Sequence, residues 1–390
     1  MSSTSTPRTE RAENSRSAGN YGQNMTDTSN QTEIDPDRLK MFSFGVFSQL
    51  SGAVTAGMIH LGDRLGLFQA LAGLGEPSTT QALADAVSLD ERWVREWAHN
   101  QAAAKIIDVD ASVSPELFSL SPEAVAVLAS PDHVAFGMGM FHRFPQTMGA
   151  LEKMPESFQT GLGHDYDSHG CEGAIGIEKS FEPWMRHHLI DTVVPALDGM
   201  VEKLDAGATV IDIGCGAGGA VLMMATRFPN STFVGYDISE RALERANERL
   251  AESDLSNARF VDPRNEAMPN DGSCDLVTTF DCIHDMTQPQ EMMESIRSAV
   301  ANDGTWLLVD IKGRDSFAEN VEKNPMASLM YGISVLSCMS SALSSPGGAG
   351  LGTLGLPASK AKSMSSAAGF SQFAPLDIDH SVNSFYEIRV

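Results

Sequence analysis

The run Val210-Ile211-Asp212-Ile213-Gly214-Cys215-Gly216-Ala217-Gly218-Gly219 constrains this chain more than any other feature. An apolar strand enters a glycine-rich turn, and Gly235-Tyr236-Asp237 ends the next strand. Glycine suits such a turn because a side chain would hold the backbone away from a ligand and would penalise positive φ. The helix that follows offers its N-terminal amides and dipole. Asp237 comes roughly twenty residues later, where an acidic side chain grips two ribose hydroxyls. The pattern reads as a nucleotide-cofactor cradle.

Two cofactors compete for it. Gly214, Gly216 and Gly219 fit the dinucleotide spacing G-x-G-x-x-G, whereas Asp212 followed by Gly214, Gly216 and Gly218 fits the D-x-G-x-G-x-G spacing of S-adenosylmethionine (SAM) enzymes. The acid decides between them. A pyrophosphate would be repelled by a carboxylate at Asp212, while the ammonium of SAM is attracted to it, directly or through water. SAM is therefore the expected cofactor.

At 390 residues the chain has room for two domains and a full core. Its net charge of −24, from 27 Lys and Arg against 51 Asp and Glu, argues against nucleic acid or an anionic membrane as partner. Such acidity also resembles proteins of salt-adapted cells. Five cysteines, at positions 171, 215, 274, 282 and 338, form no C-x-x-C pair, so a reducing cytoplasm is the expected setting. The apolar stretches Phe42 to His60 and Pro325 to Leu343 are interrupted by serine and glycine, the first also by Gln49, and neither is expected to span a membrane. Residues 1–34, rich in Ser, Thr, Asn and Gln, read as a disordered, solvated tail rather than a transit peptide, because Glu10 and Glu13 interrupt its arginines.

Residues 36–130 read as a helical domain. Met58, Ile59, Leu61, Leu65, Leu67, Phe68 and Leu71 recur at helical spacing up to a break at Gly73 to Pro77; Ser78-Thr79-Thr80 and Asp90-Glu91 each open a further helix. Ile106 to Val109 and Leu117 to Leu120 look like the two strands of a winged helix. Arg92 and Arg95 are flanked by Asp90, Glu91 and Glu96, so dimer packing or pocket closure is a better reading than DNA binding. Residues 131–200 form a polar, aromatic connecting segment. From 201 to 390 strands at Thr209 to Ile213, Thr232 to Tyr236, Asn257 to Val261, Leu276 to Phe280 and Thr305 to Ile311 alternate with helices, as in a doubly wound parallel sheet, and a hairpin-like pair closes the chain. An insertion at 313–360, with an apolar helix over Met326 to Leu343 and the run Gly347 to Gly352, reads as a lid or a dimer contact over the acceptor pocket.

With the glycine turn, four further words carry a family likeness: Leu61-Gly62-Asp63-Arg64-Leu65-Gly66-Leu67-Phe68, Glu91-Arg92-Trp93-Val94-Arg95-Glu96-Trp97, Phe280-Asp281-Cys282-Ile283-His284-Asp285-Met286 and Asp303-Gly304-Thr305-Trp306. From about residue 36 to 390 the chain resembles class I SAM-dependent methyltransferases of the actinobacterial-type small-molecule group, with an N-terminal winged helix. The resemblance implies an α/β, Rossmann-like seven-stranded sheet whose last strand is antiparallel, and a homodimer built through the N-terminal domain. It places Asp212, Gly214, Gly216 and Gly218 around the methionine end of SAM, Asp237 on the ribose, Ile238 over adenine and Asp281 beside the cofactor. Where relatives carry an adenine-binding acid this chain has Arg264 and Asn265, which leaves Asn265 or a backbone amide for that contact. Cys282-Ile283-His284-Asp285-Met286 is similar to the H-D-W motif of winged-helix O-methyltransferases, with Met286 in place of tryptophan. That makes His284 the candidate general base and Asp285 a cap or orienting partner.

The connecting segment supplies the candidate acceptor pocket: His142, Tyr166, His169, Trp184, His187 and His188. No metal is expected, since His164, Asp165, Asp167 and His169 have mixed loop spacing without a fixed scaffold. The leading expectation is methyl transfer to a small-molecule hydroxyl or thiol. The alternatives are S- or N-methylation to a sulfonium or betaine osmolyte, such as a thioether acid in dimethylsulfoniopropionate synthesis, which needs no base, and a SAM-responsive winged-helix regulator. An NAD-dependent oxidoreductase is disfavoured at Asp212.

Overall fold

The structure, a computed structural model, describes residues 34–390; the tail expected over residues 1–34 lies, apart from Ile34, outside the described residues. The described chain divides into two units between Leu50 and Ser51, a division that falls inside the helix Pro36–Arg64. In the first unit the apolar side chains of Leu39, Met41, Phe42, Phe44, Val46, Phe47 and Leu50 are exposed. This helix corrects one expectation. Its 29 residues include an 18-residue window of mean hydropathy 1.3, so by length and composition it is able to cross a bilayer. Serine, glycine and one glutamine interrupt the apolar run without charging it.

The second unit begins with the winged helix. The helical periodicity over Met58 to Leu71 is divided between two helices, because Gly66 takes a left-handed φ of 68° between Arg64 and the next helix, Leu67–Leu74. Helices Thr80–Val87 and Glu91–Ala103 start where capping chemistry predicts: Thr79 Oγ1 accepts from Ala82 N at 3.2 Å and Asp90 Oδ1 accepts from Arg92 N at 3.1 Å. Strands β1 (Asp108–Asp110) and β2 (Leu117–Ser119) form the antiparallel wing, with Val109 opposite Phe118. Phe68, Leu83, Val94, Trp97 and Phe118 close its core. Arg92 pairs with Glu96 at 2.5 Å and Arg95 with Glu91, so the arginines of this helix are neutralised by its own acids.

Strands β3 (Thr209–Ile213), β4 (Thr232–Tyr236), β5 (Ala258–Val261), β6 (Cys274–Phe280), β7 (Val300–Ile311), β8 (Gln372–Pro375) and β9 (Asn383–Arg389) build one sheet in the order β5-β4-β3-β6-β7-β9-β8. All pairs from β5 to β7 are parallel, while the last strand, β9, runs antiparallel to both β7 and β8. Strand order reverses between β3 and β6, the place where an open α/β sheet leaves a crevice at its carboxyl edge.

Alternation along each strand sorts the two faces. Val210, Leu276, Leu307 and Val309 pack on one side with Val221, Met224 and Phe233, and Met185, Leu189, Val193 and Leu197 from the connecting segment complete that core. Ile211, Ile213, Val277, Trp306 and Leu308 pack on the other with Met293, Ile296 and Tyr386. The insertion is broken where a single helix over Met326 to Leu343 was expected: helices Ala327–Leu336 and Cys338–Ala342 meet at Ser337, whose φ of −141° and ψ of −84° are not helical. That break turns the chain down onto the carboxyl edge. Gly352 N donates to His284 O at 3.1 Å, Ala349 N to Thr287 O at 2.9 Å, and Gly163 N to Leu343 O at 2.9 Å.

Candidate active site

The cradle forms at the end of β3. Gly216, at φ 54°, is the informative glycine: a Cβ built there meets nothing within 4 Å, whereas one at Gly218 would lie 2.3 Å from Phe260 Cζ. Gly218 is therefore glycine for packing, and Gly216 keeps open the space in which a ligand approaches the backbone. Asp237, at the end of β4, accepts from Gly216 N through Oδ2 and from Ser239 N through Oδ1, both at 2.8 Å. Burial raises its pKa, with the nearby charge of Asp167 adding to the rise.

Asp212 is placed by register. It pairs with Thr278 across β3 and β6, and Thr278 Oγ1 donates to its Oδ1 at 2.6 Å. Burial pushes this carboxyl up to about 7 despite that hydrogen bond, and among the described residues it has no cationic partner. A buried acid in this condition gains most from an ammonium ligand. The residues present thus fit the methionine end and ribose of SAM. Ile238 follows Asp237 with its side chain 58% exposed, free to cover a ring. On the adenine side, Arg264 is locked onto Asp262 at 2.9 Å and onto Ile238 O, while the side chain of Asn265 is exposed.

His284 and Asp285 lie in a short turn after β6. His284 Nδ1 contacts Asp310 Oδ1 at 2.7 Å, and both side chains are buried. Asp310 has the strand parity of Trp306 and Leu308, so it emerges on the face from which His284 approaches. Burial works against an imidazolium here, but the Asp310 carboxylate and Cys338 outweigh it and hold the histidine well above its ordinary pKa. Burial lifts Asp285 to about 7, with His284 opposing and Asp310 adding. Cys338 arrives on the insertion, and its sulfur, a ring nitrogen of His284 and an Asp285 oxygen all lie within 4.8 Å of one another. Asp281, with the left-handed φ of 49°, receives a hydrogen bond from Asn383 at the start of β9.

The connecting segment is rearranged relative to expectation. Tyr166 and His169 do line a cavity, with Arg143, Asp167, Gly173 and Ser239. Burial lowers His169 to about 4, and the charge of Arg143 adds to that, so its ring is neutral. Asp167 receives hydrogen bonds from Ser239 Oγ and Glu240 N and ties this loop down beside Asp237. His142 does not join the pocket: its Nε2 meets Glu172 at 2.7 Å and its Nδ1 faces Lys179 at 3.1 Å. The neighbouring Arg143, at the junction of helices Met138–His142 and Phe144–Gly149, is buried instead. Trp184 packs against His188 and Phe385 and edge-on against His380, at the margin of the core, and the exposed His187 bonds to Asp132 O at 2.7 Å. The loop donors of 164–169 are likewise spent: His164 on Ser157, Asp165 on Ser168 N and Asp167 on Ser239. Arg143, Asp310 and Cys338 were not singled out from the sequence; only Asp310 left a trace there, as an acid inside the apolar strand Trp306 to Ile311.

Comparison with known proteins agrees with this architecture. The family model described as a methyltransferase domain matches residues 204–352, and that of the Rv2258c-like winged HTH domain matches residues 53–130. The chain is thus built from a class I methyltransferase domain behind an Rv2258c-like winged domain. It is 39% identical over 66 residues to trans-aconitate 2-methyltransferase of Variovorax paradoxus, an alignment covering 16% of this chain and 26% of the relative. Across curated relatives the aligned stretch spans between 21% and 47% of their length. The mitomycin 7-O-methyltransferase structure superposes with a TM-score of 0.64 at 18% identity, covering 91% of this chain and 100% of the other. Human N-acetylserotonin methyltransferase in complex with SAM superposes at 0.61 and 14% identity, covering 92% and 99%. At these identities the likeness is one of fold.

Proposed function

We propose that this protein is a SAM-dependent methyltransferase acting on a small-molecule hydroxyl or thiol, with His284 as general base, working as a homodimer in a reducing cytoplasm. The observation that carries the reading is the placement of a buried Asp310–His284 pair at the same sheet edge as the Gly216–Asp237 cradle. When bound, SAM supplies an electrophilic methyl carbon. Asp237 orients the ribose end and Asp212 neutralises the ammonium, so the cofactor is held in one pose. Asp310 takes Nδ1 of His284, which leaves Nε2 to receive the acceptor's proton, and the carboxylate stabilises the imidazolium that results. The insertion covers the edge and excludes water. The five cysteines are free thiols, in keeping with a reducing compartment.

The test is methyl transfer from isotopically labelled SAM to a panel of small hydroxyl and thiol compounds, followed by mass spectrometry of the product. Its companion is the rise in melting temperature with S-adenosylhomocysteine (SAH). Absence of any SAH-dependent shift would remove the cofactor assignment. Transfer that persists unchanged in His284→Gln would move the chemistry to an acceptor without a proton to lose.

A further inference from the structure

The orphan in this site is Arg143. Its side chain is 4% exposed, its Nε is buried with no hydrogen-bond partner, and among the described residues it forms no ion pair. One contact is recorded for its guanidinium: Nη2 donates to Ser337 Oγ at 3.1 Å, a neutral partner at the break of the insertion. Buried cations are normally paired, because the lost hydration is not otherwise recovered. Elsewhere at this edge buried charges do form pairs, Asp310 with His284 and Glu182 with Arg249.

The position of the orphan is equally specific. Arg143 lines the cavity with Tyr166, Asp167, His169 and Ser239, and Ser239 sits two residues beyond the ribose acid Asp237. Its charge reaches Tyr166 and His169 on one turn and Asp285 on another segment of the site. Asp167 shares the cavity lining and Asp285 feels the charge, yet neither pairs with it: Asp167 is held by Ser239 and Glu240, and Asp285 lies with His284 and Cys338. The same cavity carries a neutral imidazole and a phenol, which add no competing positive charge, and the carboxylate of Asp167, which Ser239 and Glu240 hold.

We infer that the methyl acceptor is a carboxylic acid, and that Arg143 holds its carboxylate while the nucleophilic atom faces His284 and Asp285. This rests on the methyltransferase reading above and adds the substrate class to it. A planar guanidinium with free N–H groups matches a carboxylate in bidentate fashion. One cation with the acids Asp167 and Asp285 in its surroundings suits the single charge of a carboxylate better than the double charge of a phosphate monoester. Ser337 releases the guanidinium when the acid enters, so substrate binding is coupled to the seating of the insertion.

The experiment uses the full chain and a paired panel: small hydroxy, mercapto and thioether acids, their primary amides, and matching phosphate monoesters. SAH binding is measured first by the shift in melting temperature, and its failure would indict the cofactor reading, not this one. With SAH bound, the acids are expected to raise the melting temperature further and the amides not to. Turnover with SAM is expected for acids over amides by about 100-fold, the value of two charge-assisted hydrogen bonds. In Arg143→Met that ratio should collapse toward one through a rise in KM, while SAH binding persists. The melting temperature of the ligand-free variant should be unchanged or higher, because an unpaired buried charge has been removed. Arg143→Lys should lose part of the discrimination. Equal response to acids and amides, no response to any acid while SAH binds, preference for the phosphate esters, or an acid-to-amide ratio that survives in Arg143→Met would each overturn the inference. So would a fall of several degrees in ligand-free Arg143→Met together with Arg143→Lys, which would make the arginine a structural tie to Ser337.

Discussion

At the residue scale, the acids around the cofactor and the histidine beside them make opposite demands on pH. Folded-state pKa values are raised for His284, Asp212, Asp281 and Asp285, the three acids to about 7. A raised histidine contributes stability that is fully present below its unfolded pKa, near 6.5, and is lost as pH rises through the folded value. Raised acids also bind protons more tightly in the folded state than in the unfolded one, so their effect has the same sign. The ligand-free protein should therefore lose stability as pH rises from about 5 through 8, measured by thermal denaturation, and SAH should flatten the loss at Asp212. A profile that rises over this window would contradict the assigned burial. On the proposed base role of His284 activity should run the other way, since a histidine accepts a proton only once it is neutral. The rate should climb on the alkaline side of its ordinary pKa, and His284→Gln should lower kcat by about 10² to 10⁴ with SAM affinity nearly intact. If Asp237 holds the ribose as proposed, Asp237→Ala should weaken SAM and SAH by roughly 1.5 to 3 kcal/mol in calorimetry, and Gly216 N loses its acceptor as well. The cradle and His284 were legible because each is written in a few consecutive residues. Arg143 was not, since its meaning lies in the absence of a partner, which only folding reveals, and the adjacent His142 looked better suited to the pocket.

At the element scale, strands were more legible than helix boundaries. Each sheet strand carries its own apolar run between turn residues, and β3 to β9 fall where those runs lie. Helical periodicity continues smoothly across a break when the residues on either side face the same core, as at Gly66, and across a bend imposed by tertiary contact, as at Ser337. The proposed role of the insertion as a cover rests on long-range hydrogen bonds: Gly163 N to Leu343 O and His164 N to Ser340 Oγ tie it to the loop that also holds Tyr166 and Asp167. A Cβ at Gly163 would lie 1.9 Å from Ser340 O, so any side chain there must push the two segments apart. Gly163→Val is expected to speed limited proteolysis of residues 313–360 and to raise the acceptor KM about tenfold or more, with SAH affinity within a few-fold of wild type. Unchanged protease sensitivity and unchanged KM would mean that this contact does not hold the cover in place.

At the scale of the whole molecule, the apolar side chains of the helix Pro36–Arg64 require a partner. Phe42, Phe44 and Phe47 are each about two-thirds exposed or more, and on the winged helix Trp93 is 80% exposed. Burying each such phenylalanine contributes roughly 1.5 to 3 kcal/mol, more than an isolated surface would forgo. Two occupants compete: a second copy of the chain and a bilayer, for which the helix has the length. Charge separates them. A chain with net charge −24 is repelled by anionic lipid, whereas that repulsion between two copies is screened beyond about 8 Å at physiological ionic strength while apolar contact is not. A homodimer is therefore expected in light scattering at micromolar concentration, and it should tighten as salt rises, because screening removes the mutual repulsion. The double variant Phe42→Glu with Phe47→Glu should shift the protein to monomer while leaving SAH binding intact, since neither residue belongs to the cradle. Co-flotation of the wild type with vesicles of neutral phosphatidylcholine, together with a monomer in light scattering, would assign the helix to the membrane instead.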